Sequence, residues 1–196
     1  MFRNLQPLIL ASQSPRRKRL LESVGIEIQV VPSDMDEPEL QGATPVETAR
    51  RLACLKTGSV SSLFPGRWVL GADTVVVLNG QMFGKPSDPA HAREMLQTLR
   101  GSIHEVITGI CLENGERAVH RIAAVTTRVR FKPLADEEIE AYLRTGEPMD
   151  KAGAYGIQGI GAFLVAAIDG SYTNVVGLPL CEAVEWLLEE GIIAPV

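Results

Sequence analysis

The chain has 196 residues, of which 45% are hydrophobic and 22% are charged, so its composition is that of an ordinary globular protein with a sizeable core. Its formal net charge is −5, which argues against general binding to nucleic acids and requires that any bound polyanion be held by a local cluster of cations. The longest apolar run, 162–168, is far shorter than the about 20 residues that a membrane-spanning helix needs, and residues 1–10 lack the apolar stretch of a signal peptide.

The first part of the chain is predicted to alternate short strands with helices. Ser14 suits an N-cap and Pro15 the first helical position, so a helix is expected directly after the first strand. The Thr44-Pro45-Val46-Glu47 segment has the capping-box pattern and predicts the start of a second helix. The expected strands are 7–11 and 26–31, the expected helices are 15–24 and 45–60, and the acidic segment 32–42 is expected to be irregular.

The remainder of the chain combines hairpins with helical crossovers. Asn79-Gly80 is a strong hairpin signal, and Asn114-Gly115 predicts a second hairpin. Because hairpins pair strands antiparallel and helical crossovers pair them parallel, we expect an α/β fold with a mixed sheet and flanking helices. The expected strands are 68–78, 81–84, 103–112, 117–131 and 162–168, and the expected helices are 88–100, 136–144 and 179–190.

Four consecutive cations, Arg16, Arg17, Lys18 and Arg19, lie in the first turn of the first predicted helix. Each one costs about 0.3–1 kcal/mol there, because a helix N-terminus already carries partial positive charge. A bound phosphate would reverse this repulsion, since backbone N–H groups and arginines together form an anion site. The alternative is a solvated basic face, which fits Lys18 and Arg19 best. Phosphate binding is therefore expected of Arg16 and Arg17.

Asp73 interrupts a strand that is otherwise apolar. Burying an unpaired carboxylate costs several kcal/mol, so such a residue usually has a metal ion, a cationic partner or a catalytic role. The alternative is a turn aspartate at the end of an edge strand.

Other polar residues are weaker candidates when each is taken alone. Lys56 lies within the second predicted helix, Lys85 follows the predicted strand 81–84, and Glu37 lies in the acidic segment 32–42. For each of these residues, a position on the solvated surface is the simpler interpretation. In the glycine-rich segment 151–159, Tyr155 offers a stacking face and Gln158 an amide able to read a base edge. A glycine-rich turn without a ligand is the alternative.

The cysteines and histidines show no ligand spacing. The three cysteines are far apart and form no C-x-x-C, which argues for a reducing compartment and against a disulfide or zinc framework. We therefore expect a cytoplasmic protein. The P-loop, the Rossmann glycine motif and the G-x-S-x-G elbow are also absent, which excludes three common classes of enzyme.

Seven segments, in order along nearly the whole chain, resemble those of the Maf family of nucleotide pyrophosphatases. One such match arises easily by chance, but seven in order do not. The segments are Leu10-Ala-Ser-Gln-Ser-Pro-Arg-Arg17, Asp36-Glu37, Gly71-Ala-Asp-Thr74, Gly84-Lys-Pro86, 101–109 with its His104, Asp150-Lys-Ala-Gly-Ala-Tyr-Gly-Ile-Gln-Gly159, and Gly177-Leu-Pro179.

The resemblance implies a single Maf-like domain over residues 1–196 with a Maf/Ham1 fold, in which a mixed twisted sheet and helices form two lobes around a central cleft. It also implies hydrolysis of nucleoside triphosphates to monophosphates and pyrophosphate, a divalent cation (Mg²⁺ or Mn²⁺) and a homodimer. Asp73 would be the proton acceptor, with Lys85, Lys56 and Glu37 as further catalytic residues. Glu37 and Asp73 would hold the metal ion.

The same resemblance implies where the substrate binds. Ser12 and Arg16 would hold the phosphates, whereas Arg17, Thr74 and Gln158 fall at positions tied to substrate choice. The residues of the glycine-rich segment and of 170–174 are similar to those of the branch that acts on dTTP and UTP. The alternatives are the branch that acts on 7-methyl-GTP, a purine-directed enzyme, and a non-catalytic nucleotide-binding regulator of cell division.

Overall fold

The structure is a computed structural model that describes residues 1–35 and 42–196. The strands are β1 (Phe2–Asn4), β2 (Leu8–Leu10), β3 (Gln29–Val30), β4 (Trp68–Leu78), β5 (Gln81–Phe83), β6 (Ile103–Asn114), β7 (Val119–Phe131), β8 (Val165–Asp169) and β9 (Ile193–Pro195). The helices are α1 (Pro15–Ser23), α2 (Pro45–Ser61), α3 (Pro89–Leu99), α4 (Asp136–Leu143), α5 (Tyr172–Val176) and α6 (Leu180–Glu189), with 3-10 turns at Glu147–Asp150, Ala152–Ala154 and Gly159–Leu164.

The main sheet is mixed, as the sequence predicts. Its strand order is β3-β2-β4-β6-β7-β8, with β5 paired to β4. Strand β2 is parallel to both β3 and β4, whereas the β4–β5 and β7–β8 pairs are antiparallel. The prediction of an α/β fold with a mixed sheet is therefore confirmed.

The described chain divides into two compact units. Unit 1 comprises Met1–Asp73, Thr108–Val125 and Gly177–Val196, and unit 2 comprises Thr74–Ile107 and Thr126–Val176. Strands β4, β6 and β7 contribute residues to both units, so the boundary in β4 falls between Asp73 and Thr74.

The core of unit 1 covers both faces of strand β2. Leu8 and Leu10 belong to a cluster that also contains residues of α1 and α6, whereas Ile9 belongs to a separate cluster with Val60 of α2. Because successive side chains of a strand point to opposite faces, a strand covered on both sides must be apolar throughout. This burial explains the continuous apolar sequence of β2.

Two glycines allow α2 to pack closely against the sheet in unit 1. A Cβ atom on Gly71 of β4 would lie 2.2 Å from Thr57 Oγ1, and one on Gly109 of β6 would lie 2.2 Å from the Ala49 carbonyl oxygen. Side chains at these two positions would push the helix outward. The close approach places Lys56 of α2 beside Asp73 of β4.

Unit 2 has its own apolar core. The core includes residues of β4, β6 and β7 together with α3, α4 and the glycine-rich segment. Its buried members are Val76, Phe83, Ala92, Met95, Leu96, Leu99, Val106, Val129, Phe131, Leu134, Ile139, Tyr142, Ala154, Tyr155 and Leu164.

Several predicted boundaries were wrong. The strand expected at 26–31 is only Gln29–Val30, and the strand expected at 162–168 begins at Val165 because Gly159–Leu164 forms a 3-10 helix. The pairing of β1 with β9 and the short helix α5 were not predicted. No helix among the described residues has the length and apolarity to span a membrane.

Candidate active site

The start of α1 is organised around Ser12. The backbone N–H of Ser14 donates to Ser12 Oγ over 3.2 Å, and Arg17 Nη1 donates to the same oxygen over 3.0 Å. Within residues 1–35 and 42–196, the Ser14 side chain itself makes no capping hydrogen bond, although Ser14 is the N-cap residue as predicted. Ser12 is buried and therefore links the first turn of α1 to the arginine that follows.

Arg17 also connects two of the family-like segments within unit 1. Its Nε donates to the carbonyl oxygen of Gly177 over 2.7 Å. Arg16 and Arg17 are half-buried, whereas Lys18 and Arg19 are exposed. Lys18 pairs with Glu22 over 3.6 Å along the outer face of the helix. The arrangement agrees with the prediction that Lys18 and Arg19 point outward, and it separates them from the two arginines assigned to phosphate binding.

Asp73 and Lys56 form a close ion pair. Lys56 Nζ lies 2.5 Å from Asp73 Oδ1, and the exposed fractions of the two side chains are 17% and 10%. Such a charge-assisted hydrogen bond orients the carboxylate plane. Asp73 lies within β4 with Trp68 to Ala72 buried before it and Val75 to Val77 buried after it, so it is not a turn residue at the end of an edge strand. Lys56 is likewise not solvated surface.

The remaining predicted site residues of the described chain lie in unit 2. Thr74 is half-buried in β4, Lys85 is exposed directly after β5, and Gln158 is exposed before a 3-10 helix. The glycine-rich segment is tied to the segment that carries Lys85, because Gly153 N–H donates to the Gly84 carbonyl oxygen over 3.0 Å. Unit 2 thus brings two of the family-like segments together. Glu37 lies outside the described residues.

Tyr155 does not offer the stacking face that the sequence suggested. The residue is 5% exposed, and its ring packs edge-to-face against Phe131 with ring centroids 4.6 Å apart. Its hydroxyl oxygen lies 2.8 Å from His104 Nε2. Burial raises the pKa of Tyr155 and lowers the pKa of His104 to about 4. Tyr155 is therefore a core residue, and a base-stacking role for it was wrong.

Glu147 holds the backbone of the segment that follows Gln158, a structural role that its position in the sequence does not predict. Its carboxylate accepts hydrogen bonds from the backbone N–H groups of Ile160 and Gly161 over 3.0 and 2.9 Å, and from Tyr142 Oη over 2.9 Å. Desolvation, the largest single effect, raises the pKa of Glu147, but these hydrogen bonds together lower it. Glu147 therefore anchors the turn that follows Gln158. Its only sequence signal is an acidic residue near a glycine-rich segment.

Among residues 1–35 and 42–196, metal-binding chemistry is found at Asp73 and at a group of cysteine and histidine side chains. The carboxylate of Asp73 is a hard oxygen donor of the kind that Mg²⁺ and Mn²⁺ prefer. A second set, Cys54, Cys111 and His120 in unit 1, offers sulfur and nitrogen atoms that lie within 4.8 Å of one another. These donors are soft, so the two sets suit different ions.

Comparison with known proteins gives the family of the chain. The family model described as Maf-like protein matches residues 7–190. The dTTP/UTP pyrophosphatase of Geobacter sulfurreducens is 53% identical over 186 residues, which cover 95% of this chain and 97% of that protein. The dTTP/UTP pyrophosphatase of Symbiobacterium thermophilum is 50% identical over 187 residues, covering 95% of each chain.

Among solved structures, the fold is similar to that of a HAM1 protein from Coxiella burnetii. The TM-score is 0.51 at 19% identity, with 95% of this chain and 100% of that chain covered. This likeness shows the fold alone, and it agrees with the Maf/Ham1 fold expected from the sequence. The family model matches residues 7–190, and the two relatives are 53% and 50% identical to the chain. The chain therefore belongs to the Maf-like proteins.

Proposed function

We propose that the protein hydrolyses dTTP and UTP to the corresponding monophosphates and pyrophosphate. The names of relatives that are 50–53% identical over 95% of the chain support this activity. The structural observation that carries it is Asp73, a residue that is 7% exposed in an apolar strand and whose carboxylate is bound to an ammonium group. Such a group suits a proton acceptor for a water molecule attacking phosphorus.

In the proposed reaction a water molecule attacks the α-phosphorus of the triphosphate. Asp73 accepts the proton of the water as the new P–O bond forms, and the bond to the pyrophosphate oxygen breaks. Lys56 contributes by holding one oxygen of the Asp73 carboxylate, which orients the group before reaction. The products are a nucleoside monophosphate and pyrophosphate, and the proton leaves Asp73 for solvent.

We propose that cations neutralise the phosphates and the charge that develops on the leaving group. Arg16, Lys56 and Lys85 carry this role, with Ser12 supporting the first turn of α1. A pair of unit charges about 4 Å apart interacts by about 4 kcal/mol at an effective dielectric near 20. Several such pairs supply a useful share of the about 8–23 kcal/mol that enzymes remove from a barrier.

A divalent cation, Mg²⁺ or Mn²⁺, fits the carboxylate oxygens proposed for the active site. Asp73 supplies a hard carboxylate oxygen, and Glu37 is proposed as the second protein ligand. When bound, the ion would polarise phosphoryl oxygens and neutralise part of their charge. The cysteine and histidine set described above does not suit these ions, since they prefer oxygen ligands.

Substrate choice is assigned to Arg17, Thr74 and Gln158. Arg17 is held by Ser12 and by the Gly177 carbonyl, so its position is well defined within unit 1. Gln158 carries an exposed amide, which can both donate and accept hydrogen bonds at a base edge.

We further propose that residues 1–196 act as a single domain and that the protein is a cytoplasmic homodimer. Light scattering of the purified chain tests the dimer.

The test of the activity is pyrophosphate release from a panel of triphosphates with Mg²⁺ or Mn²⁺. We expect dTTP and UTP to be turned over fastest, and Asp73→Asn to keep nucleotide binding while losing about 10²–10⁴-fold in turnover, the usual contribution of an acid–base group. Asp136→Asn, an exposed carboxylate on α4, is the matched control and should behave as the parent.

Three results would count against parts of the proposal. Turnover of dTTP by Asp73→Asn near the parent rate would remove Asp73 from its assigned role. Nucleotide binding without pyrophosphate release by the parent protein, with either metal ion, would favour the regulator. Preferred release from 7-methyl-GTP or purine triphosphates would keep the chemistry and change the substrate.

A further inference from the structure

A second group of side chains with metal-binding chemistry lies in unit 1, apart from the residues proposed for catalysis. We call it the thiol–imidazole cluster: Cys54 from α2, Cys111 from β6 and His120 from β7. Their ligand atoms all lie within 4.8 Å of one another, and Cys54 Sγ is 3.8 Å from His120 Nε2. Three elements distant in the sequence thus converge on one point.

Glu113 orients the imidazole of this cluster. Cys111 and Glu113 are two residues apart on β6 and therefore project from the same face of the strand. His120 Nδ1 lies 2.7 Å from Glu113 Oε1. Because a carboxylate accepts hydrogen bonds, this contact leaves Nε2, which lies 3.8 Å from Cys54 Sγ, as the ring nitrogen available to a metal ion. A carboxylate behind a histidine is the usual support of a metal-ligating imidazole.

We propose that the thiol–imidazole cluster binds one thiophilic divalent cation, Zn²⁺, through Cys54 Sγ, Cys111 Sγ and His120 Nε2. Tetrahedral zinc with Zn–S of about 2.3 Å and Zn–N of about 2.0 Å requires S···N separations of about 3.5 Å and S···S separations of about 3.8 Å. The Cys54–His120 separation of 3.8 Å is close to this value. The other separations are within 4.8 Å, so closing each of them by at most about 1.3 Å brings the ligand atoms to tetrahedral distances.

The ligand types determine which ion the cluster selects. Two sulfurs and one imidazole favour Zn²⁺ over Mg²⁺ or Mn²⁺, which prefer oxygen ligands. Each thiol that ligates the ion loses its proton to solvent.

Exposure allows the ion to enter and leaves a position for a fourth ligand. Cys111 is buried at the base of the cluster, Cys54 is half-buried, and His120 is exposed at the surface. Three protein ligands with water in the fourth position satisfy tetrahedral zinc. Bound zinc would link α2 to β6 and β7 within unit 1. Because α2 also carries Lys56, the cluster lies on the helix that contacts Asp73.

Cobalt binding to the full chain tests this proposal. The purified protein is reduced with a phosphine, freed of metal with a chelator and titrated with Co²⁺, whose thiolate charge-transfer absorption reports sulfur ligation. Zn²⁺ affinity then follows from displacement of the cobalt. We expect one thiolate-ligated Co²⁺ per chain, with a thiolate band and tetrahedral d–d bands, and a band of similar strength in Cys181→Ser. Cys181 is an exposed thiol on α6 and is therefore the matched control.

Variants of the cluster give the decisive comparison. Cys54→Ser should lose the thiolate band or weaken it together with at least a tenfold loss in Zn²⁺ affinity, and Glu113→Gln should lose about 10–100-fold in affinity, as expected for a residue that supports a ligand. His120→Gln, at an exposed position, provides the same test if the cysteine variant fails to fold.

Three outcomes would overturn the zinc site. These are a parent protein without the thiolate band, Cys54→Ser with unchanged Zn²⁺ affinity, and a Cys54–Cys111 disulfide in the oxidised protein whose reduced form takes up no Zn²⁺. The last result would identify a redox pair instead. The readout needs no nucleotide, so its failure is distinct from failure of the proposed hydrolysis.

Discussion

Gln158 directly precedes a 3-10 turn whose backbone is held by several hydrogen bonds. Glu147 accepts hydrogen bonds from the backbone of Ile160 and Gly161, and the Tyr142 hydroxyl connects Glu147 with the Gly156 N–H over 3.2 Å. The anchoring restricts the backbone on both sides of Gln158 while its side chain stays exposed. A rigid backbone with a free amide is suited to reading a base edge, because little entropy is lost on binding.

We predict that Gln158→Ala changes the choice of base more than the rate. Loss of one amide that pairs with the base should lower kcat/KM for dTTP by about 5–30-fold, which corresponds to about 1–2 kcal/mol for a neutral hydrogen bond, and should leave GTP nearly unaffected. The measurement is the ratio of dTTP to GTP efficiency. An unchanged ratio would remove Gln158 from base reading.

His104 makes the stability of the protein depend on pH. Burial lowers the pKa of His104 in the folded state from 6.5 to about 4, and among the described residues its Nδ1 atom is buried without a hydrogen-bond partner. Between these two values the unfolded chain binds a proton that the folded protein does not. The contribution of His104 is therefore present above pH 6.5 and is lost as the pH falls towards 4.

The expected loss is about 2 kcal/mol in the free energy of unfolding between pH 7 and pH 5. Urea denaturation at both values measures it. His104→Gln should be less stable at pH 7, since the edge-to-face packing on Phe131 is lost, but its stability should change less between the two pH values. An equal pH dependence in the variant would show that other groups cause the loss.

At the scale of elements, the contact between α2 and the sheet depends on glycine. A Cβ at position 71 would lie 2.2 Å from Thr57 Oγ1 and 3.3 Å from the Ala53 carbonyl oxygen. In contrast, a Cβ at Gly58, which lies in α2 itself, would meet only Glu113 Oε2 at 3.8 Å. Glycine is therefore required by close packing at the first position and by nothing comparable at the second.

We predict opposite signs for alanine at these two sites. Gly71→Ala should destabilise the protein by about 1–3 kcal/mol through overpacking, whereas Gly58→Ala should stabilise it by up to about 1 kcal/mol because alanine favours helix. Thermal and urea unfolding measure both. Adding Thr57→Ala removes the atom in closest contact, so the double variant should recover part of the loss. Additive effects in this cycle would contradict the packing explanation.

For the whole molecule, bound nucleotide should raise thermal stability with the logarithm of the nucleotide concentration above its dissociation constant. Asp73→Asn permits the measurement without turnover. At about 100 times the dissociation constant, dTTP with Mg²⁺ should add about 2.7 kcal/mol, which corresponds to a rise in Tm of about 5–10 °C for a chain of this size. Differential scanning fluorimetry measures the shift. GTP at the same concentration serves as the control and should give a smaller rise; equal shifts would argue against pyrimidine preference.

Local signals were sufficient for many of the elements. The capping box at Thr44 and Glu47 starts α2 as predicted, with Thr44 Oγ1 accepting from the Glu47 N–H, and Asp88 caps α3. The Asn79-Gly80 turn connects β4 to the antiparallel strand β5. These features depend on residues only a few positions apart in the sequence, so the local sequence determines them. The polar Asp73 in an apolar strand was informative for the same reason.

Long-range packing decided what local patterns left open. Residues 26–31 formed a strand of only two residues, since pairing depends on β2 and not on local propensity. Tyr155 became a core residue because His104 and Phe131, distant in the sequence, surround its ring. The partner of Asp73 was likewise fixed by the packing of α2, which brings Lys56 to the carboxylate.

The thiol–imidazole cluster shows the same division most clearly. Cys54, Cys111 and His120 lack ligand spacing in the sequence, and spacing alone argued against a zinc framework. They meet because α2 packs on the β6 and β7 strands, with Thr57 Oγ1 donating to the Cys111 carbonyl oxygen over 3.4 Å. The residue types and the order of the motifs along the chain therefore determined the family and most of the element types. Which distant side chains share a point in space depended on tertiary packing, because contacts between separate elements leave no periodic trace along the chain.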